Sequence, residues 1–238
     1  MARTKIVKMA APPMADEPVA TKKKRTKKVL DGLHKLYPDA TCALEHVDAF
    51  QLLIATILSA QSTDVTVNKV TPILFAKYPT PQAMAAARTS DVEKIIHQTG
   101  FFRQKTKSVI GASKAIVERF GGKVPNTLED LITLPGVARK TANVVLGTAF
   151  GKNEGVVVDT HVGRLATRLG LTWTSKNPKD APRIEQDLMQ IVPRDEWTFL
   201  GHALIWHGRK ICIARKPKCT ECLLAKHCPS AGTFDNPA

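Results

Sequence analysis

Apolar residues recur along most of this 238-residue chain at the three- and four-residue spacing that is typical of α-helices. The clearest stripe follows Asp48, whose side chain is a suitable helix cap. It comprises Phe50, Leu53, Ile54, Ile57 and Leu58. The same spacing predicts further helices over residues 28–36, 63–77, 82–87, 90–98, 104–120, 160–169, 180–192 and 195–209. The β-branched run 156–158 is too short to build a sheet, so the pattern predicts an all-α protein.

The segment from Thr127 to Gly151 predicts two helices joined by a tight hairpin. Thr127 and Asp130 have the spacing of a capping box at the start of the first helix, and the second helix stops at Gly151. Between them, residues 134–140 read Leu-Pro-Gly-Val-Ala-Arg-Lys, a turn sequence that leads directly into a helix start. Such a hairpin directs unpaired backbone N–H groups outward at the positive end of a helix dipole, which makes a site for phosphate.

Two residues near this hairpin carry candidate chemistry. Lys140, in the first turn of the second helix, supplies an amine that can act as a nucleophile. Asp159 follows the apolar run 156–158 and precedes another helical segment, so it is also a suitable helix cap. Each residue has a purely structural alternative, because most lysines near a helix start are solvated and the cap alone would account for the aspartate. An amine and a carboxylate together are the pair that chemistry through a cationic intermediate requires.

The chain is strongly basic, with 35 Lys and Arg against 21 Asp and Glu and a formal net charge of +14. This charge favours a polyanionic partner. Residues 1–28 hold nine of the basic residues and two acids, so +7 remains for the rest of the chain. This segment is predicted to be a disordered tail that acts as a nuclear address, a nonspecific DNA tether or a solubilising segment, and the tether is favoured. No apolar run approaches the about 18 residues of a membrane span, and the N-terminus lacks the apolar region of a secretory signal.

Four of the five cysteines cluster near the C-terminus with the spacing C-x6-C-x2-C-x5-C. They are Cys212, Cys219, Cys222 and Cys228. In a chain without a secretory signal, this clustering favours a metal centre over disulfides. Four thiolates suit both a zinc ion and a [4Fe–4S] cluster, so the spacing alone leaves both metals open.

Breaks in the helical pattern indicate the domain organisation. Pro- and Gly-containing segments interrupt the pattern near residues 79–81, 121–122, 151–155 and 175–178. We expect one helical module over residues 44–152 and a second over residues 153–230, with a short C-terminal tail at 231–238. The helix near 28–36 can join either module.

Taken together, these motifs closely resemble the endonuclease III family, the bifunctional DNA glycosylases of the helix–hairpin–helix superfamily. The resemblance covers nearly all of residues 29–230 and includes four features in the family's order. They are residues 58–64 (Leu-Ser-Ala-Gln-Ser-Thr-Asp), residues 134–146, residues 158–162 (Val-Asp-Thr-His-Val) and the cysteine spacing.

The resemblance implies an all-α fold of two helical lobes with a DNA-binding cleft between them. One lobe is a six-helix module, residues 44–152, that carries the helix–hairpin–helix motif. The other lobe combines residues 29–43 with 153–230 and holds a [4Fe–4S] cluster in its C-terminal loop. By the same resemblance the ligands of this cluster are Cys212, Cys219, Cys222 and Cys228.

Six further residues match functional positions of the family. Lys140 corresponds to the catalytic nucleophile and Asp159 to the catalytic carboxylate. Gln61 corresponds to the residue that fills the gap left by an extruded nucleotide, and Phe101 takes the place of an apolar wedge. The remaining two contribute backbone amides that contact phosphate, and they are Gly136 and Ala138.

Ala138 is a departure, since the family usually has glycine at this position. We expect Ala138 to have an ordinary negative φ, so that its N–H still faces a phosphate. The basic loop 215–218, between two of the cysteines, is expected to touch phosphate as well, with a solvated loop as the alternative.

The resemblance also implies a function, a partner and a location. The protein is expected to be a base-excision repair enzyme that removes oxidised pyrimidines and cleaves abasic sites by β-elimination through a lysine Schiff base. Adenine-mismatch relatives lack this lysine, and guanine-oxidation relatives typically lack the cluster. We expect a monomer that binds double-stranded DNA and no membrane, in the cytoplasm and nucleoid of a bacterium or in the nucleus or mitochondria of a eukaryote. The alternatives are a noncatalytic DNA-binding protein on the same scaffold and a zinc-binding nucleic-acid module.

Overall fold

A computed structural model describes residues 17–234 as a series of helices. The α-helices are α1 (Val19–Leu36), α2 (Ala49–Leu58), α3 (Asp64–Lys77), α4 (Pro81–Ala85), α5 (Thr89–Ile96), α6 (Phe102–Phe120), α7 (Leu128–Leu131), α8 (Arg139–Phe150), α9 (Thr160–Arg168), α10 (Ala181–Ile191) and α11 (Trp197–Lys210). Short 3-10 turns occur at His97–Thr99, Arg194–Glu196, Cys219–Glu221 and Ala225–His227. No β-strand occurs between residues 17 and 234, and the predicted all-α class is confirmed. Within the same range, no helix combines the length and the apolar character needed to span a bilayer.

Helix α1 begins much earlier than the sequence pattern indicates. The predicted disordered tail, residues 1–28, is therefore wrong for residues 19–28, while residues 1–16 lie outside the described residues. Arg25 donates to both carboxylate oxygens of Glu17, at 3.2 and 2.8 Å, and to the carbonyl oxygen of Gly170 at 2.8 Å. These hydrogen bonds from Arg25 hold the pKa of the Glu17 carboxyl below its ordinary value. Local ion pairs with Glu17 and a long-range hydrogen bond to Gly170 thus order a lysine-rich segment that the sequence pattern predicts to be solvated.

The chain forms two compact units. One is continuous, Thr41–Val157, and the other combines the described residues up to Ala40 with those from Val158 onward. The predicted module boundaries at 44 and 152 fall a few residues inside the continuous unit. This unit holds seven α-helices, α2 to α8, rather than the expected six, and α4 and α7 have only 5 and 4 residues.

Helix α2 forms the centre of the continuous unit, where it packs against α3, α6 and α8. Eight of its ten residues are buried, and these include the whole predicted apolar stripe. The predicted cap is confirmed, because Asp48 Oδ1 accepts the N–H of Gln51 at 2.8 Å. At the start of α7 the hydroxyl of Thr127 accepts the N–H of Asp130 at 3.2 Å, as its capping-box spacing predicts. Local sequence signals therefore set the starts of both α2 and α7.

In the second unit, α9 packs against α10 and α11, and α1 packs against α10 and α11. The buried face of α9 includes Val162, Leu165 and Ala166. This helix begins directly after Asp159 and ends at Arg168, whose guanidinium contacts the cysteine-rich loop. A single rigid helix therefore joins the candidate carboxylate to the candidate metal centre.

Candidate DNA-binding and catalytic site

The hairpin between α7 and α8 is a hydrogen-bonded turn with glycine near its tip. The N–H of Val137 donates to the carbonyl oxygen of Leu134 at 3.1 Å, and Gly136 has a φ of +78°. Proline at the second position and a left-handed glycine at the third are typical of a type II turn. A Cβ at Gly136 would lie 2.6 Å from Ser108 Cβ and 2.8 Å from Ser108 Oγ. Glycine is therefore required both by its backbone conformation and by the close approach of α6.

Ala138, where the family usually has glycine, is the N-cap of α8 with a φ of −89° and a ψ of 168°. This is ordinary extended backbone, so the expectation of a negative φ is confirmed and alanine is not strained here. Gly136 and Ala138 are both exposed, and their N–H groups have no hydrogen-bond partner within residues 17–234. Unpaired amides at the positive end of a helix dipole form a site for an anion.

Lys140 lies in the first turn of α8 and is exposed. Its amine makes no hydrogen bond or ion pair with any other residue from 17 to 234. The opposite face of the helix is buried and includes Ala142, Val145 and Leu146. The packing of α8 thus fixes the backbone of Lys140 and leaves its amine accessible to a ligand.

Asp159 is the N-cap of α9, as the sequence predicts, but the cap uses only half of the carboxylate. Oδ1 accepts the N–H groups of His161 and Val162, each at 2.8 Å. Oδ2 has no hydrogen-bond partner within residues 17–234, and the side chain is half-buried. One oxygen therefore anchors the side chain while the other remains available to a ligand. Asp159 belongs to the discontinuous unit, whereas Lys140 belongs to the continuous one.

Within residues 17–234, three residues other than glycine have a left-handed backbone conformation. They are Gln61, Phe101 and Lys216, with φ values of 54°, 47° and 52°. A side chain in this conformation costs about 1–3 kcal/mol, and such strain concentrates at functional sites. Gln61 and Phe101 are the two residues expected to enter the DNA stack, and Lys216 lies in the basic loop expected to touch phosphate. All three are exposed, with Phe101 at 67% exposure.

The four C-terminal cysteines line one cavity in the discontinuous unit. The cavity has a volume of about 30 Å³ and is partly open to solvent. Its wall includes the thiols of Cys212, Cys219, Cys222 and Cys228 together with apolar side chains. None of the four forms a disulfide. In the described part of the chain, no three His, Cys, Asp or Glu side chains converge in the way that a single metal ion requires.

Burial and the neighbouring cysteines perturb two of these four thiols. Burial raises the pKa of the Cys228 thiol to about 11 and also raises that of Cys222, and the neighbouring cysteines add to both shifts. Four thiolates that line one cavity would repel one another, so a positively charged metal group would stabilise the deprotonated form. The residues present therefore fit a thiolate-ligated metal centre.

Two arginines of α9 hold the loop that carries Cys212. Arg168 donates to the carbonyl oxygens of Ile213 and Ala214, each at 2.8 Å, and its Nη1 lies 3.4 Å from Cys212 Sγ. Arg164 donates to the carbonyl oxygen of Cys212 at 3.0 Å. Hydrogen bonds of this kind orient metal ligands and offset the negative charge of their sulfurs.

A second support comes from His207 on α11, which is buried. Its Nε2 lies 3.4 Å from Cys222 Sγ, and the hydroxyl of Tyr37 lies 3.0 Å from its Nδ1. Burial lowers the pKa of His207 to about 4, so the ring is neutral at physiological pH. When Tyr37 donates to Nδ1, the proton on Nε2 points to the sulfur of Cys222.

Sequence reasoning missed these supporting residues. Arg164 and Arg168 have the i, i+4 spacing that places them on one face of α9, and this was the available signal. His207 and Ser108 gave no local signal, because their partners lie on elements that are distant in sequence.

Comparison with known proteins decides the family. Residues 54–194 match the HhH-GPD superfamily of base excision DNA repair proteins. The chain belongs to this superfamily. Among curated HhH-GPD relatives, endonuclease III of Synechocystis sp. is 55% identical over 213 residues, which cover 90% of this chain and 95% of the relative. Endonuclease III of Bacillus subtilis is 42% identical over 201 residues, which cover 84% of this chain and 89% of the relative.

Solved structures of HhH-GPD proteins agree with this assignment. A non-covalent endonuclease III–DNA complex matches with a TM-score of 0.81 and 40% identity, over 89% of this chain and 97% of that chain. A trapped endonuclease III–DNA covalent intermediate matches with a TM-score of 0.81 and 39% identity over the same shares. The predicted resemblance is confirmed, and this HhH-GPD protein is a DNA glycosylase and abasic-site lyase of base excision repair.

Proposed function

We propose that this enzyme removes oxidised pyrimidines from double-stranded DNA and cleaves abasic sites by β-elimination through a Schiff base on Lys140. The observation that carries the proposal is the exposed, unpartnered amine of Lys140 directly after a hairpin with two unpaired amides. Amides that hold a phosphate would fix the DNA backbone beside the amine. Thymine glycol suits such a site, because a ring-saturated base stacks poorly and is extruded at lower cost.

The chemistry assigned to Lys140 proceeds in two stages. The amine attacks C1′ of the damaged nucleotide, the bond from C1′ to the base breaks, and the base leaves with its electron pair and a proton. The nitrogen lone pair then opens the sugar ring by breaking the bond from C1′ to O4′, which takes up a proton, and a Schiff base forms between C1′ and the lysine. Loss of a proton from C2′ of this Schiff base breaks the bond from C3′ to its oxygen. The strand is cut on the 3′ side of the lesion, and water releases the sugar fragment from the lysine.

Asp159 supplies the negative charge for this reaction. The departing base leaves positive charge on the sugar, and a carboxylate stabilises it in the transition state. The free Oδ2 is suited to that role because the cap hydrogen bonds fix the side chain through Oδ1 alone.

Gln61 and Phe101 are assigned to the distortion of DNA. Extrusion of a nucleotide leaves a gap and an unpaired base, which the exposed amide of Gln61 can fill and hydrogen-bond. Phe101 can enter between neighbouring bases as an apolar wedge, and Lys216 can contact phosphate. The left-handed backbone of all three residues supports this assignment, because strained backbone is typical of functional sites.

The four cysteines are assigned to a [4Fe–4S] cluster. Their shared apolar cavity, the donors Arg168 and His207 beside the sulfurs, and the similarity to endonuclease III support a cluster over zinc. When bound, the cluster would fold the C-terminal loop and thereby present the basic residues 215–218 to DNA. We further propose that the protein acts as a monomer in the cytoplasm of a bacterium.

The test is a product analysis with a labelled duplex that contains one thymine glycol. Wild-type protein should release thymine glycol and leave a strand that ends in an unsaturated aldehyde, while an undamaged duplex stays intact. Iron and zinc are quantified in the same preparation, and iron is expected at about four atoms per protein. Release of no oxidised pyrimidine, or a strand cut that leaves a hydrolytic end, would contradict the proposed reaction, and zinc in place of iron would contradict the cluster.

A further inference from the structure

Lys105 on α6 is a buried lysine that the proposed chemistry does not use. Its side chain is 5% exposed, and its Nζ donates to the carbonyl oxygen of Thr99 at 2.6 Å. No carboxylate of residues 17–234 pairs with it, and burial alone lowers its pKa. Lys105 is also the fourth residue of α6, where the helix dipole disfavours a cation. Burial, the lack of a counter-ion and the dipole all oppose a lysine here, which indicates a role beyond packing.

The contacts of Lys105 enclose a two-residue turn. Its ammonium binds the carbonyl oxygen of Thr99, and its backbone N–H donates to the carbonyl oxygen of Phe101 at 3.0 Å. Thr99 is itself fixed, since its buried hydroxyl donates to the carbonyl oxygen of Ile96 at 2.8 Å. The ammonium therefore holds the residue before Gly100, while the bond after it is the first backbone bond of α6, which any residue at position 105 would make.

This turn determines where Phe101 points. Gly100 and Phe101 are both left-handed, with φ values of 69° and 47°, and Phe101 caps α6 without a side-chain hydrogen bond. Both residues thus have a positive φ, and the phenyl ring of Phe101 is exposed. An exposed aromatic ring on strained backbone requires a support, and the bonds from Lys105 provide it.

We infer that Lys105 is a positioning residue for base extrusion. It holds the turn from Thr99 to Phe101, so that the phenyl ring of Phe101 is positioned to enter the base stack. The inference rests on the proposed wedge role of Phe101. Without the Lys105 ammonium, the carbonyl of Thr99 loses its partner and the turn relaxes toward less strained conformations in which Phe101 is no longer presented.

The variant that tests this is Lys105→Met, which keeps the length and the apolar stem of the side chain but removes the donor. The loss of a buried charge and the loss of the bond to the Thr99 carbonyl act in opposite directions on stability, so the melting temperature is measured for each variant. The readout is the fluorescence of 2-aminopurine placed next to thymine glycol, which rises when the base unstacks. With enzyme in excess, we expect unstacking to slow about tenfold, which corresponds to about 1.4 kcal/mol. Cleavage of a preformed abasic site should change less than about threefold, because no base has to leave the stack.

The matched control is Lys107→Met, which removes an exposed lysine from the same helix. This control loses the same charge and should unstack the probe at the wild-type rate once enzyme is saturating. Phe101→Ala is then combined with each variant. Because Lys105 acts through Phe101, Lys105→Met should have no further effect in the Phe101→Ala background.

The outcomes separate this inference from the function on which it rests. If Phe101→Ala slows unstacking and Lys105→Met does not, Lys105 has no positioning role and the wedge assignment stands. If Lys105→Met slows unstacking equally with and without Phe101, it acts by another route and the inference is wrong. If Phe101→Ala has no effect, the wedge assignment fails and the inference fails with it. Should Lys105→Met not fold, Lys105→Gln takes its place, and failure of both to fold would show a purely structural residue.

Discussion

Gly136→Ala tests how the hairpin is built, because the substitution adds one carbon where the structure leaves no room. At a φ of +78° an alanine costs about 1–2 kcal/mol in backbone strain. The new Cβ would also lie 2.6 Å from Ser108 Cβ, and an overlap of this kind in a packed site costs about 1–3 kcal/mol more. The free energy of unfolding should therefore fall by about 2–5 kcal/mol.

The two contributions can be separated with a second substitution. Ser108→Gly removes the two atoms that would lie within 3 Å of the new Cβ, at a cost of about 1 kcal/mol for a glycine inside α6. In the Gly136→Ala background it should recover the steric part and leave the backbone strain, so the double mutant is more stable than the sum of the single effects predicts. Ala138→Gly is the control, since its φ of −89° suits either residue and its stability should change by less than about 0.5 kcal/mol.

Two assays on Gly136→Ala test this prediction. Chemical denaturation followed by far-UV circular dichroism gives the free energy of unfolding, and fluorescence anisotropy gives the Kd for a duplex with a tetrahydrofuran abasic analogue. We expect Gly136→Ala to weaken binding at least about tenfold, because the turn must move and carry its two amides away from the phosphate. A Gly136→Ala variant that unfolds and binds like wild type would refute the role of this contact.

Three further predictions follow from the geometry of other residues. Asp159→Asn keeps Oδ1 as the helix cap and removes the charge, so the variant should fold like the wild type. Base release in single-turnover assays should slow about 100-fold or more, and an unchanged rate of base release would exclude an electrostatic role of Asp159. Glu17→Gln leaves Arg25 and Lys22 without their carboxylate and should lower the melting temperature at pH 7. Since the pKa of Glu17 is lowered in the folded state, this difference should shrink as the pH falls below its ordinary value of 4.5, and a difference that persists at low pH would contradict the ion pair. If the proposed cluster is present, Cys219→Ser should abolish its visible absorption and lower the soluble yield. A variant that retains the iron content of the wild type would remove Cys219 from the proposed ligands.

The elements that the sequence predicts well are those governed by local contacts. Asp48 and Thr127 cap helices through residues three positions away, so the pattern of neighbours is sufficient to place α2 and α7. The sequence also predicts Gly136 in the hairpin, because proline followed by glycine is typical of a type II turn.

The features that escaped prediction depend on partners distant in the chain. Arg25 binds the carbonyl oxygen of Gly170, so the helical start of α1 cannot be inferred from a lysine-rich segment alone. Ser108 meets Gly136 only because α6 passes beneath the hairpin. The left-handed backbone of Gln61, Phe101 and Lys216 also has no compositional signal, since none of them is a residue that favours this conformation.

The most direct test of the central claim is to identify the amine that becomes bound to DNA. Borohydride added during the reaction with a thymine-glycol duplex reduces the Schiff base to a stable bond, and digestion with mass spectrometry locates the modified residue. Lys140 is exposed and has no partner among the described residues, so Lys140→Ala should fold like wild type. We predict that wild-type protein is trapped at Lys140 and that Lys140→Ala is not trapped at all. A trapped complex of folded Lys140→Ala, or modification of another lysine in wild type, would show that a different amine performs the chemistry.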